Sequence, residues 1–177
     1  MKLLLHTCCA PCLIYPLRRL REKGYEVVGI FYNPNIHPFS EYRNRKQAVV
    51  DFSKKFDLEL IYPEYRPHEF FNAVNLKETK PGRCEICWKL RLEETARQAR
   101  EKGYRVFTTT LLVSPYQDQE LLKEIGGEVT RESKVEFYYE DFRSGFRKAH
   151  DEARALGLYC QKYCGCIYSG IERDKSK

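Results

Sequence analysis

No apolar run in this sequence approaches the roughly 18–20 consecutive apolar residues that a membrane-spanning helix needs, so a transmembrane protein is not expected. A secretory leader is missing as well, because Met1 and Lys2 lead into a short apolar segment that is soon followed by cysteine, proline and arginine. Both absences predict a cytoplasmic protein, in which thiols stay reduced.

The segment after this first apolar stretch lacks the loop rich in glycine and serine with which nucleotide-binding α/β proteins hold phosphate. The chain reads TCCAPC at this position, so thiols stand where backbone amides would surround a phosphate. This substitution counts against ATP as a substrate.

Length and charge narrow the class of protein further. A chain of 177 residues can bury an ordinary core, and we expect a single α/β metalloenzyme domain over residues 1–177. The 31 basic and 25 acidic residues give a net charge of +6, which suits a polyanionic partner such as RNA. A mixed-charge surface without such a partner would show the same balance.

What the chain does have is cysteine. Seven of its eight cysteines fall into three tight clusters at the start, middle and end of the sequence. The clusters are Cys8, Cys9 and Cys12, then Cys84 and Cys87, then Cys164 and Cys166, with Cys160 just upstream. Thiols that converge in this way indicate a metal, an iron–sulfur cluster, a redox dithiol or a disulfide framework. A reducing compartment disfavours the last of these.

The number of thiols exceeds what one centre requires. A CxxC at the start of a helix puts both sulfurs on one side of the first turn, where the helix dipole favours thiolate. Tetrahedral zinc and a 4Fe–4S cluster each need only four ligands. The surplus predicts a second metal, a reactive dithiol or a substrate pocket, and one structural zinc with spare buried thiols stays open as an alternative.

Hydrophobic patterning predicts alternating strands and helices. The predicted strands cover Lys2–His6 and residues 25–32, 58–62, 105–110 and 135–139. Buried strands that alternate with helices indicate a parallel α/β sheet covered on both faces. Ligands of such sheets bind beyond the carboxyl ends of the strands, where TCCAPC, the NPN loop and the 110–117 loop should line one crevice.

Proline, serine and glycine residues predict where the helices begin and end. Pro16 should lie in the first turn of the first helix, and Ser40 should cap the second. A helix over 117–125 should end at Gly126 and Gly127. Residues 172–177 should be a frayed tail.

These motifs together resemble one known family, the cobalamin-independent epoxyqueuosine reductases of the QueH type. The resemblance rests on LHTCCAPC, FYNPNIHP, EYRNR, GRCEICWKLRL, TTTLLVSPYQD and QKYCGCIYS, and it covers nearly the whole chain. It implies a Rossmann-like (HUP-like) parallel sheet flanked by helices, with a helical C-terminal part that completes the metal site. It also implies reduction of epoxyqueuosine to queuosine at the wobble position of tRNA, with electrons from an external donor.

The resemblance further implies a 4Fe–4S cluster beside a second mononuclear metal, expected to be iron. The family motifs match seven cysteines, and Cys160 falls outside them. Because the side chains of neighbouring residues generally point in different directions, we expect Cys8 and Cys9 to bind different centres. The expected ligands are Cys9, Cys84, Cys87 and Cys166 for the cluster, and Cys8, Cys12 and Cys164 for the second metal.

Removal of an epoxide oxygen also takes two protons and a place to hold the nucleotide. Asp118 and Asp141 are the candidate proton donors; a metal ligand, a helix cap or a solvated carboxylate is the alternative role for each. The candidate substrate-binding residues stand in the loops that follow strands and beside the last cysteines, where stacking and hydrogen bonding to a base are expected. They are Tyr32, Asn33, Asn35, Tyr116 and Tyr163.

Basic residues near these motifs are candidates for contact with tRNA phosphates, and a solvated helix face is their alternative role. They are Arg43, Arg45, Lys46, Arg83, Lys89 and Arg91. Two other functions stay open at this point. One is a zinc-stabilised tRNA-binding module without redox activity, and the other is an ATP-dependent tRNA thiolation enzyme of the same fold.

Overall fold

The computed structural model describes residues 1–176 and contains one five-stranded sheet. Its strands are β1 (Lys2–His6), β2 (Glu26–Ile30), β3 (Leu60–Ile61), β4 (Val106–Thr109) and β5 (Glu136–Phe137). They lie in the order β3-β2-β1-β4-β5, and every neighbouring pair is parallel. This confirms the predicted α/β class and its parallel sheet.

Helices cover both faces of this sheet. They are α1 (Ala10–Glu22), α2 (Phe39–Lys55), α3 (Pro67–Val74), α4 (Gly82–Glu101), α5 (Gln119–Ser133), α6 (Phe146–Ala155) and α7 (Ile167–Lys175). Helix α1 packs against α2 and α6, and α4 packs against α5. The central strand β1 is therefore shielded on both sides, and Leu3, Leu4 and Leu5 are fully buried. Within the described residues, no helix is both long enough and apolar enough to cross a bilayer.

The first two helices begin earlier than predicted. Helix α1 starts at Ala10, with Pro11 in its first turn, so Pro16 lies inside the helix rather than at its start. Because proline has no N–H, Pro16 cannot donate to the carbonyl of Cys12 one turn earlier. Helix α2 starts at Phe39 with Pro38 at the N-cap, so Ser40 is helical and does not cap.

One predicted helix end and the predicted frayed tail are also wrong. Helix α5 runs through Gly126 and Gly127 to Ser133, where Lys134 closes it in a left-handed conformation. Gly126 serves packing instead, because a Cβ at that position would overlap the ring of Phe137. The predicted tail is largely helical: α7 extends to Lys175, and Glu172 pairs with Lys80 and Arg83. Lys177 lies outside the described residues.

The loops after β1, β2 and β4 meet at the carboxyl edge of the sheet, as predicted. The backbone N–H of Cys8 donates to Thr110 Oγ1 over 3.1 Å, which ties the first cysteine segment to the end of β4. Asn33 Nδ2 donates to the carbonyl oxygen of Thr7 over 2.9 Å, which ties the NPN loop to the same place. This edge therefore holds the motifs that the sequence analysis singled out.

Candidate metal centre

The first group of thiols forms where β1 passes into α1. The Sγ atoms of Cys8, Cys9 and Cys12 all lie within 4.8 Å of one another, a spacing that could hold a metal ion or a cluster. Cys9 is the N-cap residue of α1 with an extended backbone, and Cys12 follows in the first turn. The sulfurs of the adjacent Cys8 and Cys9 are only 3.6 Å apart, so both reach one region.

The second group combines the CxxC and the CxC. Cys84 and Cys87 lie in the first turns of α4, and together with Cys164 and Cys166 they line a cavity of about 250 Å³. Cys87 and Cys166 are buried and belong to an apolar cluster with Phe70 and Val74. This apolar cover protects the inner thiols from solvent.

Glycine makes the tight CxC turn possible. Gly165 has φ +141°, a conformation that residues with a side chain rarely adopt. A Cβ at Gly165 would also meet Ile36, Arg45 and Asn35 at 3.2–3.3 Å. After the turn, Cys166 caps α7, and its Sγ accepts a hydrogen bond from the Ser169 N–H over 3.3 Å.

A larger cavity of about 970 Å³ connects the two groups of thiols. The thiols that line it are Cys8, Cys12 and Cys164. Cys164 also lines the smaller cavity, as does Arg91. Cys9 is 1% exposed and is not among the residues that line the larger cavity. Cys8, Cys12 and Cys164 therefore face the larger cavity, whereas Cys84, Cys87 and Cys166 line only the smaller one.

Two polar side chains that sequence reasoning missed donate to these sulfurs. Gln161 Nε2 lies 2.8 Å from Cys9 Sγ and 3.9 Å from Cys12 Sγ. Thr110 Oγ1 donates to Cys8 Sγ over 3.3 Å. Their positions within the QKYCGC and TTT motifs were the available signal, because polar residues that flank ligands commonly orient them.

Burial and hydrogen bonds set the thiol acidities in the metal-free protein. Burial raises the pKa of Cys87 to about 12 and also raises the pKa values of Cys84 and Cys9 above the ordinary thiol value. Hydrogen bonds from Cys12 and Cys9 lower the pKa of Cys8 well below that value. The thiols whose pKa values are raised in this way become thiolate when a bound cation compensates their charge.

Arg91 already places one positive charge among the sulfurs. Arg91 is 2% exposed, its Nε donates to the Cys87 carbonyl oxygen over 3.1 Å, and its Nη2 has no hydrogen-bond partner within residues 1–176. Burial disfavours the charged guanidinium, but the sulfurs of Cys87, Cys164 and Cys8 offset this effect and raise its pKa. Among the described residues no carboxylate pairs with Arg91, so only thiolate formed at these sulfurs can balance its charge.

Arg45 organises the same region through its backbone contacts. Its Nε pairs with Glu41 at 2.7 Å, and its two terminal nitrogens donate to the carbonyl oxygens of Cys164 and Tyr163, each over 2.9 Å. Because Arg45, Arg83 and Arg91 are each only 2% exposed, the prediction that they contact tRNA phosphates is wrong.

The remaining basic candidates lie on other surfaces. Lys89 pairs with Glu128 at 3.3 Å, and Lys46 lies over the ring of Tyr62. Arg43 is exposed on α2. None of these three is among the residues that line the two cavities around the described thiols.

The candidate substrate-binding residues separate into two sets. Tyr116 and Tyr163 line the larger cavity, and Asn35, whose Oδ1 is buried without a partner among the described residues, lines the smaller one with Tyr116. Tyr32 instead donates its hydroxyl to Glu69 and lines a separate cavity beside α3 and α4. Asn33 holds the Thr7 carbonyl oxygen, so its contact in this structure is to the backbone of the first cysteine loop.

The two candidate proton donors also lie apart. Asp118 caps α5 by accepting the Leu121 N–H over 3.0 Å, and it also lines the smaller cavity. Asp141 is bound by the guanidinium of Arg143, which lowers the pKa of its carboxyl group, and it is not among the residues lining either cavity. Cys160, outside the motifs, donates to the Leu158 carbonyl oxygen.

The chain is similar to known proteins over nearly all of its length. Residues 3–172 match the family model described as epoxyqueuosine reductase QueH. The epoxyqueuosine reductase QueH of Dehalococcoides mccartyi is 39% identical over 173 residues, which cover 97% of this chain and 94% of that protein. The protein of the same name from Thermotoga maritima is 38% identical over 178 residues, which cover 96% and 91% of the two chains.

A solved structure shares the fold alone. It is described as a predicted subunit of a tRNA methyltransferase from Methanocaldococcus jannaschii, and it is 11% identical to this chain with a TM-score of 0.56. The match covers 87% of this chain and 74% of that one.

Proposed function

The chain belongs to the epoxyqueuosine reductase QueH family, and from this membership we propose how its thiols and cavities serve the reaction. The protein is an oxidoreductase that reduces epoxyqueuosine to queuosine in tRNA. The reaction consumes two electrons and two protons, breaks both C–O bonds of the epoxide, leaves a carbon–carbon double bond and releases water. The chain must therefore hold a source of electrons, a proton donor and the modified nucleotide close together.

The donor set suits iron–sulfur chemistry. All eight cysteines are free thiols, and seven of them lie in the two groups at the carboxyl edge of the sheet. Sulfur ligands favour iron–sulfur clusters and soft metal ions. The unpartnered Nη2 of Arg91 supports the same conclusion, because a buried guanidinium without a carboxylate needs nearby negative charge.

We propose that Cys9, Cys84, Cys87 and Cys166 hold a 4Fe–4S cluster, and that Cys8, Cys12 and Cys164 hold a second metal ion, iron. The observation that carries this division is that Cys8, Cys12 and Cys164 line the large open cavity, whereas Cys9 is buried and lines neither cavity. A metal ion that meets substrate belongs on the cavity side, and a cluster that supplies electrons belongs in the sheltered interior. When bound, the cluster provides the electrons and the second metal acts as a Lewis acid.

The polar residues of the cavities then hold the nucleotide and supply protons. Tyr116 and Tyr163 offer aromatic surfaces to the base, and the free Oδ1 of Asn35 can accept a hydrogen bond from it. Asp118 is the proposed proton donor, because one of its oxygens caps α5 and the other remains available to the smaller cavity. Asn33 and Tyr32 support the loop that carries Asn35 through their bonds to Thr7 and Glu69.

The working enzyme is proposed to act in the cytoplasm and to take electrons from an external protein or small-molecule donor. Eight free thiols require a reducing compartment, and tRNA is found there.

The first test is the content of iron, acid-labile sulfide and zinc per chain after anaerobic purification. About four sulfides with four to five irons are expected. About one zinc with no sulfide, after anaerobic reconstitution, would overturn the proposed centres and favour a structural zinc module instead. Conversion of epoxyqueuosine to queuosine in tRNA, followed by nucleoside mass spectrometry with a chemical reductant, then tests the reaction itself.

A further inference from the structure

The mouth of the large cavity carries an excess of positive charge. Among residues 1–176, its lining includes seven basic residues but only one carboxylate, that of Glu172. The basic residues are Arg45, Lys80, Arg91, Arg147, Arg154, Lys162 and Arg173. Arg45 and Arg91 are buried and engaged with the thiol segments, and Lys80 pairs with Glu172 at 3.1 Å. Four cations therefore remain at the surface.

These four come from the C-terminal part of the chain, not from the helices that carry the basic residues first considered. Arg147 and Arg154 lie on α6, Lys162 lies just before the CxC, and Arg173 lies on α7. Arg154 and Arg173 form ion pairs with neighbouring aspartates, and such pairs contribute little when they are exposed. Arg147 and Lys162 are exposed and have no carboxylate partner among residues 1–176.

Aromatic side chains stand beside these cations. Tyr116 is 84% exposed, and its ring meets Phe146 edge-on at a centroid distance of 6.0 Å. The His150 ring packs on Phe146 at 4.3 Å, and all three residues line the same cavity. Exposed aromatic rings next to unpaired cations are the combination with which proteins bind unstacked nucleotides and their backbone.

We infer that Arg147 and Lys162 bind the phosphodiester backbone of the anticodon loop beside the nucleotide that enters the cavity. The inference rests on the proposed function, because it takes the cavity to be the substrate site. Phosphate contacts from unpaired surface cations position a nucleic acid without reading its sequence. The exposed ring of Tyr116 then stacks on a base of the loop, and the thiols that line the cavity face the reacting ring.

The experiment is a fluorescence-anisotropy titration of a fluorescein-labelled anticodon stem–loop RNA over a series of salt concentrations. The test variant is Arg147→Ala with Lys162→Ala. The matched control is Lys54→Ala with Lys55→Ala, which removes the same charge from exposed positions at the C-terminal end of α2. We expect the test variant to bind about tenfold more weakly, with a salt slope smaller by about 1.5, since each phosphate contact contributes roughly 0.7–0.9 to that slope.

Equal loss in both double variants would overturn the inference, because net charge alone would then account for binding. Unchanged affinity in the test variant would overturn it as well. The readout is independent of the proposed chemistry: iron and sulfide contents should be the same in all three proteins. If the wild type binds the RNA but contains no sulfide, the proposed centres fail while the binding surface stands.

Discussion

The guanidinium of Arg91 donates to the carbonyl oxygen of Cys87 over 3.1 Å, and this backbone contact is its one hydrogen bond within the described part of the chain. Arg91 lies one turn after the CxxC on α4, so the helix itself holds a positive charge against the sulfurs. A buried cation of this kind destabilises the metal-free protein and stabilises a negatively charged centre beside it.

We therefore expect Arg91→Met to affect a different property in each form of the protein. In the metal-free protein it should affect the free energy of unfolding, and in the reconstituted protein it should affect the reduction potential. Without metal, the free energy of unfolding should stay the same or rise, because an uncompensated charge is replaced by an apolar chain of similar length. In the reconstituted protein the midpoint potential of the proposed 4Fe–4S cluster should become more negative, since a nearby cation favours the reduced state. Urea unfolding and a redox titration followed by electron paramagnetic resonance measure the two quantities.

Arg45→Met is the matched control, because Arg45 is equally buried but fully bonded to Glu41 and to the carbonyl oxygens of Cys164 and Tyr163. This change leaves the Glu41 carboxylate buried and should cost about 3–5 kcal/mol in the metal-free protein. A loss of stability of that size in Arg91→Met would contradict the role given to Arg91.

Gly165 gives a second prediction, on the geometry of the CxC. Gly165→Ala places a side chain at φ +141° and in contact with Asn35, Ile36 and Arg45, so it should destabilise the protein by about 1–3 kcal/mol. It should also lower the iron bound per chain, because it moves Cys164 and Cys166. Gly127→Ala in α5 should instead stabilise the protein by about 0.5–1 kcal/mol, since alanine favours a helix and a Cβ there would lie 3.8 Å from Arg131 Nη1. Equal stability of the two variants would refute the strain argument.

The parallel sheet and the convergence of the motifs could be predicted because they depend on strong local patterns. Strand β1 contains the apolar run Leu3, Leu4 and Leu5, and parallel strands bring the loops that follow them to one edge. The helix ends were harder to predict, because tertiary packing overrode the local signal. Gly126 looks like a helix stop, but it lies within α5 because the Phe137 ring occupies the space of a side chain.

In the candidate site, too, the features with a local sequence pattern could be predicted, and those set by tertiary packing could not. The cysteine motifs identified which thiols converge, since their spacing and positions after strands are visible in the sequence. The burial of Arg45 and Arg91 was not visible, because a basic residue on a predicted amphipathic helix is normally assigned to solvent. The donors Gln161 and Thr110 were missed for a related reason: their contacts join segments about 100 or more residues apart.

A third prediction concerns pH and rests on His37. This imidazole is 7% exposed, packs on Phe70 and Phe71, and has no partner for Nε2 among the described residues. Burial lowers the pKa of His37 from 6.5 to about 4. The folded state thus prefers the neutral ring, and the unfolded state takes up a proton first as the pH falls.

The stabilising contribution of the neutral ring is therefore fully present above about pH 6.5 and is lost as the pH falls towards 4. Urea unfolding of metal-free protein between these limits should show a decrease in stability that His37→Gln reduces. The control is His68, which is exposed on α3. His68→Gln should leave the decrease in stability between pH 6.5 and 4 unchanged. The same pH dependence in His37→Gln and in the wild type would assign the effect to other groups.

The division of thiols between two centres can be tested by comparing two single substitutions. Cys9→Ser removes a proposed cluster ligand, so acid-labile sulfide should fall far below that of the wild type, together with most of the iron. Cys164→Ser removes a proposed ligand of the second metal only, so about four sulfides should remain while about one iron is lost. Cys160→Ser is the control outside both groups and should retain the full content of both iron and sulfide.

Cys164 lines both cavities, whereas Cys9 is enclosed beside Cys8, so the outcome does not follow from proximity alone. Loss of sulfide in Cys164→Ser with sulfide retained in Cys9→Ser would reverse the assignment: the smaller cavity with its four thiols would then be the cluster site, and the N-terminal group would hold the single metal ion.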